Sequence, residues 1–389
     1  MDDQKTAQNP RKSSPMTNTG LAAPVSATPL AALLESKAAH YSLSAYRGVL
    51  TPQQFDAPEA ETAALVSAAA VHDLGWLRRV AVRGEDRFRW LSGMVTNSVS
   101  DLAQDGGSWN LVLNAQGRIQ GDLHVWREGD ALDLVMAADQ YERLIGHLEH
   151  FIIMDDVELA TLEGETVLGL TGSLADEVLG RMGLHGLAEP MTAERVEWNG
   201  LDLRIVRAHG VLAPNYELWI PAAGVPRLWK SLRTAGALLV GVEALEALRI
   251  AEGVPLYGVD IVERDLPQET SQMRALHFNK GCYLGQEVVE RIRSRGSVHR
   301  HLRQLELAGP LPGQGTELTL DGKPAGTITS AAELRLPSGV RTFALGMIRG
   351  EAEAQKQPLA YAVEAGSGTA ALLAVTPPLN AGQNCAKAT

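Results

Sequence analysis

Apolar positions along the first third of the chain switch between a period of two and a helical period, and the switches mark out elements. "LRRVAVRG" (77–84) sets Val80 and Val82 two residues apart, as in a half-buried strand. "GEDRFRWLSGMVTNSVSDL" places Phe88, Leu91 and Val95 at helical spacing and predicts one helix over the whole stretch. "SWNLVLNAQGRIQGDLHVWREGDALDLVMA" predicts three strands separated by turns at "NAQG" and "EGD". "ADQYERLIGHLEHFII" then predicts a helix with Tyr141, Leu144, Ile145 and Leu148 on one face. Pro29 is suited to open an earlier short helix, "PLAALLESKAAHY".

After "MDD" the pattern restarts. A strand "VLGLTG", a helix "SLADEVLGRMG", strands "LDLRIVRA" and "NYELWIP" and a helix "VPRLWKSLRTAG" read as a second α+β unit that ends near residue 237. "VEALEALRIAEG" predicts a helix with Val242, Leu245 and Leu248 along one side. From about 297 the chain becomes a series of short strands, "LRQLEL", "ELTL", "PAGTITS", "TFALGMI" and "LLAVTP", broken by Gly and Pro. This pattern suggests a small β-barrel. Residues 1–28, rich in Ser, Thr, Asn, Gln and Pro, are expected to be a disordered tail, and residues 378–389 a loose one.

Composition narrows the possibilities. A chain of 389 residues, 45% hydrophobic and 21% charged, has the make-up of a globular protein of two or three domains. A net charge of −11 argues against general nucleic-acid binding. Two cysteines, Cys282 and Cys385, cannot build a disulfide framework and fit a reduced compartment. No apolar run reaches the roughly 20 residues of a membrane helix. The polar N-terminus lacks a signal core, so a cytoplasmic location is expected. Zinc-ligand spacing, a Walker loop and a GxGxxG turn are all missing, so no metal site is expected.

The sharpest feature is "HFNKGCYLGQE" (277–287), where Cys282 stands in a glycine-framed turn beside Lys280. Its extension "NKGCYLGQEVVERIRSRG" resembles the signature of the YgfZ-type proteins, relatives of the glycine cleavage T-protein (aminomethyltransferase). "EALRIAEGVPLYGVDI", "VHDLGWLRRVAVRGEDRFRWLSGMVTNSVSDL", "LNAQGRIQGDLHVW" and "PNYELWIP" resemble other segments of that superfamily, in family order over roughly 45–350. The resemblance implies an α+β fold of three domains in a ring around a central folate channel, with a C-terminal β-barrel. Residues 29–155 plus 240–296 would form a discontinuous folate-binding domain, residues 156–239 the second, and 297–377 the barrel. It also implies tetrahydrofolate or a one-carbon derivative as cofactor.

The resemblance assigns roles to particular residues. Glu217 would accept two N–H groups from a pterin edge, a bidentate charged contact; otherwise it is a solvated strand residue. Arg249 would hold a folate carboxylate, or else pair with Glu246 or Glu252 three residues away. Trp109 would stack on the ligand or fill the core. Asp122 matches the second of two adjacent acids in the transferases, and Gly121 replaces the first. That loss of a candidate proton acceptor counts against transferase activity. Cys282 would be a reactive thiol facing the channel or a partner, with Lys280 favouring its thiolate; the alternative is a small buried thiol. The run "RIRSRGSVHRHLR", from Arg291 to Arg303, could dock an anionic folate tail or RNA, or be a solvated linker. Two functions compete. One is a folate-binding accessory protein for iron–sulfur enzymes or their assembly, and thereby for tRNA modification. The other is an aminomethyltransferase or related one-carbon enzyme.

Overall fold

The computed structural model describes residues 26–36, 41–296, 298–336, 338–374 and 376. Cys385 and the C-terminal tail lie outside them. The N-terminal tail was expected to run to residue 28, but Thr28 is part of the fold. Its buried hydroxyl accepts from the Ala31 N–H at 3.0 Å, which caps the helix Pro29–Glu35, and donates to the Asp73 carboxylate.

Two antiparallel sheets face each other. The first runs Gly107–Leu113, Ile119–Glu128, Ala131–Ala137, Leu77–Arg83 and Glu158–Thr161. The second runs Thr192–Trp198, Leu201–Ala208, Asn215–Pro221, Glu165–Thr171 and Ala70–Asp73, with the short Leu238–Leu239 added in parallel at its edge. The expected domain boundaries are therefore displaced. Strand Ala70–Asp73 and helix Pro29–Glu35 belong to the second unit, because their apolar residues Leu30, Leu34 and Val71 pack with Leu168, Leu218 and Leu232. Glu158–Thr161 instead pairs with Leu77–Arg83 in the first sheet. Burial assigned these segments where sequence order did not.

The barrel is closed, in the order Arg300–Ala308, Gly339–Arg349, Lys323–Leu336, Glu317–Leu320, Leu359–Val363 and Gly366–Leu372. Its last strand precedes most of the predicted "LLAVTP". Gly366–Leu372 is fixed by pairing on both sides, with Leu359–Val363 and with Arg300–Ala308, and that long-range closure leaves no local signal. The helix predicted over 84–102 stops at Met94. Beyond it, side chains take over the backbone partners: Thr96 Oγ1 accepts from Leu111 N, and Asn97 Oδ1 accepts from Ser98 N. Val95 and Val99 are nevertheless fully buried, so their apolar spacing served the core without a helix.

Helix Val242–Ala251 joins the units. Ala247, Leu248 and Ala251 share one core with Leu65, Trp109 and Ile119 on one side and with Leu334, Phe343 and Leu345 of the barrel on the other. A buried polar knot locks this seam. The Arg249 guanidinium donates to Asp260 Oδ2 at 2.7 Å, and Asp260 Oδ1 accepts the hydroxyls of Thr329 (2.6 Å) and Ser330, at a bulge in the barrel strand Lys323–Leu336. Removing one partner of a buried ion pair strands the other, so Asp260→Asn should cost about 3 kcal/mol in urea-induced unfolding. A loss below about 0.5 kcal/mol would show that the knot does not hold the seam.

Candidate functional site

A cavity of about 280 Å³ lies between the two sheets, with helix Val242–Ala251 and the segment 254–257 along one side. Of the residues singled out in the sequence, Trp109, Asp122, Glu217 and Arg249 all line it. The strand pleat explains the first sheet's contribution. Asp122 and His124, two apart on Ile119–Glu128, share the face turned to the cavity, and Trp109 stands directly across from His124.

Asp122 is fully engaged by its neighbours. Its Oδ2 accepts the Trp109 indole N–H and its Oδ1 the Gln140 amide, both at 2.9 Å, while Gln140 Oε1 accepts from Asp122 N at 3.0 Å. Gly121 points the other way. A Cβ there would stand 2.7 Å from both Gln140 Oε1 and a Leu144 methyl, so the place of a second acid is closed by packing.

On the second sheet, Glu217 is half-buried, and its Oε2 accepts the Trp219 indole N–H at 2.9 Å. Its other oxygen takes no hydrogen bond from the described residues. Burial pushes its carboxyl above the usual range, against the opposing pull of Trp219 and Arg204. Beside it, His72 Nε2 meets Thr171 Oγ1 at 3.0 Å, in space that exists only because residue 169 is glycine: a Cβ there would lie 1.9 Å from the imidazole. Three cavity residues carry buried polar atoms with no protein partner: His72 Nδ1, Trp76 Nε1 and Arg47 Nε.

Arg249 settles on internal pairing. Its guanidinium donates to Glu246 at 2.6–2.9 Å as well as to Asp260, so its fork is filled from within, and Tyr46 OH donates to the same Glu246 at 2.7 Å. Glu252, the other expected partner, instead accepts the Val211 and Leu212 N–H groups at 3.0 and 2.8 Å.

Lys280 and Cys282 stand apart from the cavity lining. The Lys280 ammonium donates to the carbonyls of Ser92, Val95 and Asn97 at 2.6–2.8 Å, tying the cysteine turn to the end of helix Arg87–Met94. Burial lowers its pKa to about 8. Lys280 is thus placed outside the ligand cavity and in a structural role at the turn, and no hydrogen bond between it and Cys282 is present among the described residues. Cys282 is exposed, which removes the buried-thiol alternative and leaves the outward-facing one. Gly285, at φ +81°, keeps the turn tight: a Cβ there would come 2.6 Å from the Asn114 carbonyl. Several cations of the basic run are paired: Arg293 with Glu290, Arg300 with Asp265 and Glu269, and Arg303 and His301 with Glu353.

Sequence reading missed His72, Trp76, Gln140, His124, His209 and Arg274. Gln140 was hidden in a helix identified from its apolar face, and Trp76 and His72 lay in a segment with no periodic signal.

Known proteins resemble this arrangement. Residues 31–280 match the family model described as the GCVT N-terminal domain, and residues 299–379 that of the CAF17 C-terminal beta-barrel domain. The chain belongs to the glycine cleavage T-protein superfamily, and within it is a YgfZ-type member. A putative chloroplastic transferase of Arabidopsis thaliana is 26% identical, over 77% of this chain and 70% of its own. An aminomethyltransferase of Rubrobacter xylanophilus is 28% identical, over 76% and 81%. The crystal structure of glycine cleavage system aminomethyltransferase T from Bartonella henselae superposes with a TM-score of 0.80 at 22% identity, covering 90% of this chain and 98% of that one, and so shares its fold.

The cavity histidines carry a pH dependence. Burial lowers His124 and His209 to about 4, with Arg274 adding to the effect on both, and burial alone lowers His72 to about 3. An imidazole harder to charge in the folded state contributes stability above pH 6.5 and loses it as the pH falls toward 4. The stability advantage of the wild type over His124→Gln should therefore shrink by about 2 kcal/mol between pH 7.5 and 4.5, measured by urea unfolding. A constant difference would mean that His124 titrates normally.

Proposed function

We propose that the cavity binds a reduced folate, tetrahydrofolate or a one-carbon derivative, and that the protein is a cytoplasmic accessory factor for assembly or repair of iron–sulfur enzymes and so for tRNA modification. The observation that carries the folate reading is the half-buried Glu217 carboxylate, with one oxygen open, among cavity residues bearing unmet polar atoms. The residues fit the ligand. Glu217 is suited to accept N–H groups of an amino-pyrimidinone edge, Trp76 and Arg47 hold donors in reserve, and Trp109 presents an indole at the wall. The folate would supply the one-carbon chemistry when bound; this chain's residues orient it and exclude water.

Membership of the superfamily and the names of the relatives keep aminomethyl transfer as the second reading. Against it, Asp122 has both oxygens engaged and no acid can enter at Gly121 without displacing Gln140 and Leu144. The accessory reading draws on Cys282, which is exposed beside the cavity-forming units and free to meet a partner protein.

Titration calorimetry with tetrahydrofolate should give micromolar affinity or better, and Glu217→Ala should weaken it by about 2 kcal/mol. No heat of binding would end the folate reading. Cys282→Ser should leave folate affinity and stability within about 1 kcal/mol yet fail to restore iron–sulfur enzyme activity in cells lacking the protein. Full rescue would make Cys282 a mark of ancestry. Saturable turnover of an aminomethylated lipoyl carrier would favour the transferase instead.

A further inference from the structure

A second, polar recess of about 360 Å³ adjoins the cavity and shares His209, Glu252, Val254 and Arg274 with it. Its remaining wall includes Ser271, Gln272 and the barrel residues Arg303 and Gln304. Arg274 stands at this seam with its guanidinium 4.7 Å from the centroid of the Trp109 ring. Among the described residues it has no salt bridge, and its side chain donates no hydrogen bond.

The two carboxylates that face Arg274 make no salt bridge to it and accept hydrogen bonds from other donors: both oxygens of Asp122 from Trp109 and Gln140, and Oε1 of Glu252 from two backbone N–H groups. The other arginines lining the cavity differ. Arg249 is filled by Glu246 and Asp260, and Arg47 is paired with Asp139 at 3.2 Å. The planar fork of Arg274 is thus held by stacking with its donors open, an arrangement suited to a carboxylate.

The path from Glu217 leads there. Asn215 lies on the same strand face, two residues and about 7 Å along, and its amide donates to the His209 carbonyl at 3.4 Å. His209 is already part of the seam.

We propose that Arg274 is a carboxylate anchor, and that the recess receives the carboxylate-bearing end of a ligand lying in the cavity. This rests on the folate reading, in which that end is the glutamate of the folate. A separate small carboxylic acid would present the same chemistry.

Binding by calorimetry of tetrahydrofolate, of tetrahydropteroate (the same molecule without its glutamate) and of L-glutamate, to wild type and Arg274→Gln, separates the cases. The wild type should bind tetrahydrofolate about tenfold tighter than tetrahydropteroate, and Arg274→Gln should close that gap by weakening tetrahydrofolate alone. Equal affinities in the wild type, with L-glutamate binding that the variant loses, would assign the anchor to a separate acid. Equal affinities without glutamate binding, or a variant that keeps the preference, would overturn the anchor. If neither pteridine binds the wild type, the folate reading falls, and L-glutamate on the free protein decides Arg274 by itself.

Discussion

Asp260 is the constraint on which the architecture turns. Its carboxylate is completely buried and ties three things together: the Arg249 guanidinium on the cavity wall, the Leu256 N–H in the segment that follows, and two hydroxyls at a barrel bulge. A buried carboxylate is tolerated only if its lone pairs are met. The bulge between Ile328 and Ser330 presents Thr329 and Ser330 together, which a regular strand would turn to opposite faces. The helix Val242–Ala251 is thereby fixed against the barrel on one side while its other side lines the cavity.

A second set of charges fixes the spacing of the two sheets. Arg79, on the first sheet, donates to Asp133 of its own sheet at 2.9 Å and to Glu165 of the other at 3.0 Å. Glu128 in the first sheet answers Arg195 and Arg204 in the second, at 2.6 and 3.4 Å. Such cross-sheet pairs do little for net stability compared with apolar packing, but they define one register of the sheets where a purely apolar interface would admit several. Arg204 is also a diagonal neighbour of Glu217, since Arg204 pairs with Trp219 and Val206 with Glu217. The network that spaces the sheets thus ends beside the carboxylate proposed to read the ligand.

Much of this was legible in the sequence, for identifiable reasons. Strand Ile119–Glu128, which carries Asp122, alternates buried and half-buried positions over 119–125, and the helix bearing Arg249 has a regular apolar stripe, so these residues could be placed on their elements. Family resemblance supplied the link between walls distant in sequence. What stayed hidden depends on tertiary pairing. Ala70–Asp73 is buried at all four positions and shows no alternation, which conceals both its strand and His72. Helical spacing gave Glu246 as a partner of Arg249, but it could not show the acid across a loop that completes the pairing, nor the carbonyl cage of Lys280, one member of which lies 185 residues away.

The contrast between Arg249 and Arg274 shows how a site's charge is distributed. A cation needed to hold a helix against a barrel must be saturated by the protein itself, or the seam would open whenever the ligand left. Arg249, with Glu246 and Asp260 on its fork, meets that requirement and is therefore unsuited to exchange partners with a ligand. A cation meant to take a ligand must be held without hydrogen bonds, and an aromatic face does this at a cost of few donors. Arg274 on Trp109 is built that way. Trp109 is in turn oriented by Asp122, and Asp122 by Gln140. The acid that the transferase pattern would use at the reacting centre is here the support of an aromatic platform, and the glycine beside it leaves room for the glutamine that holds it there.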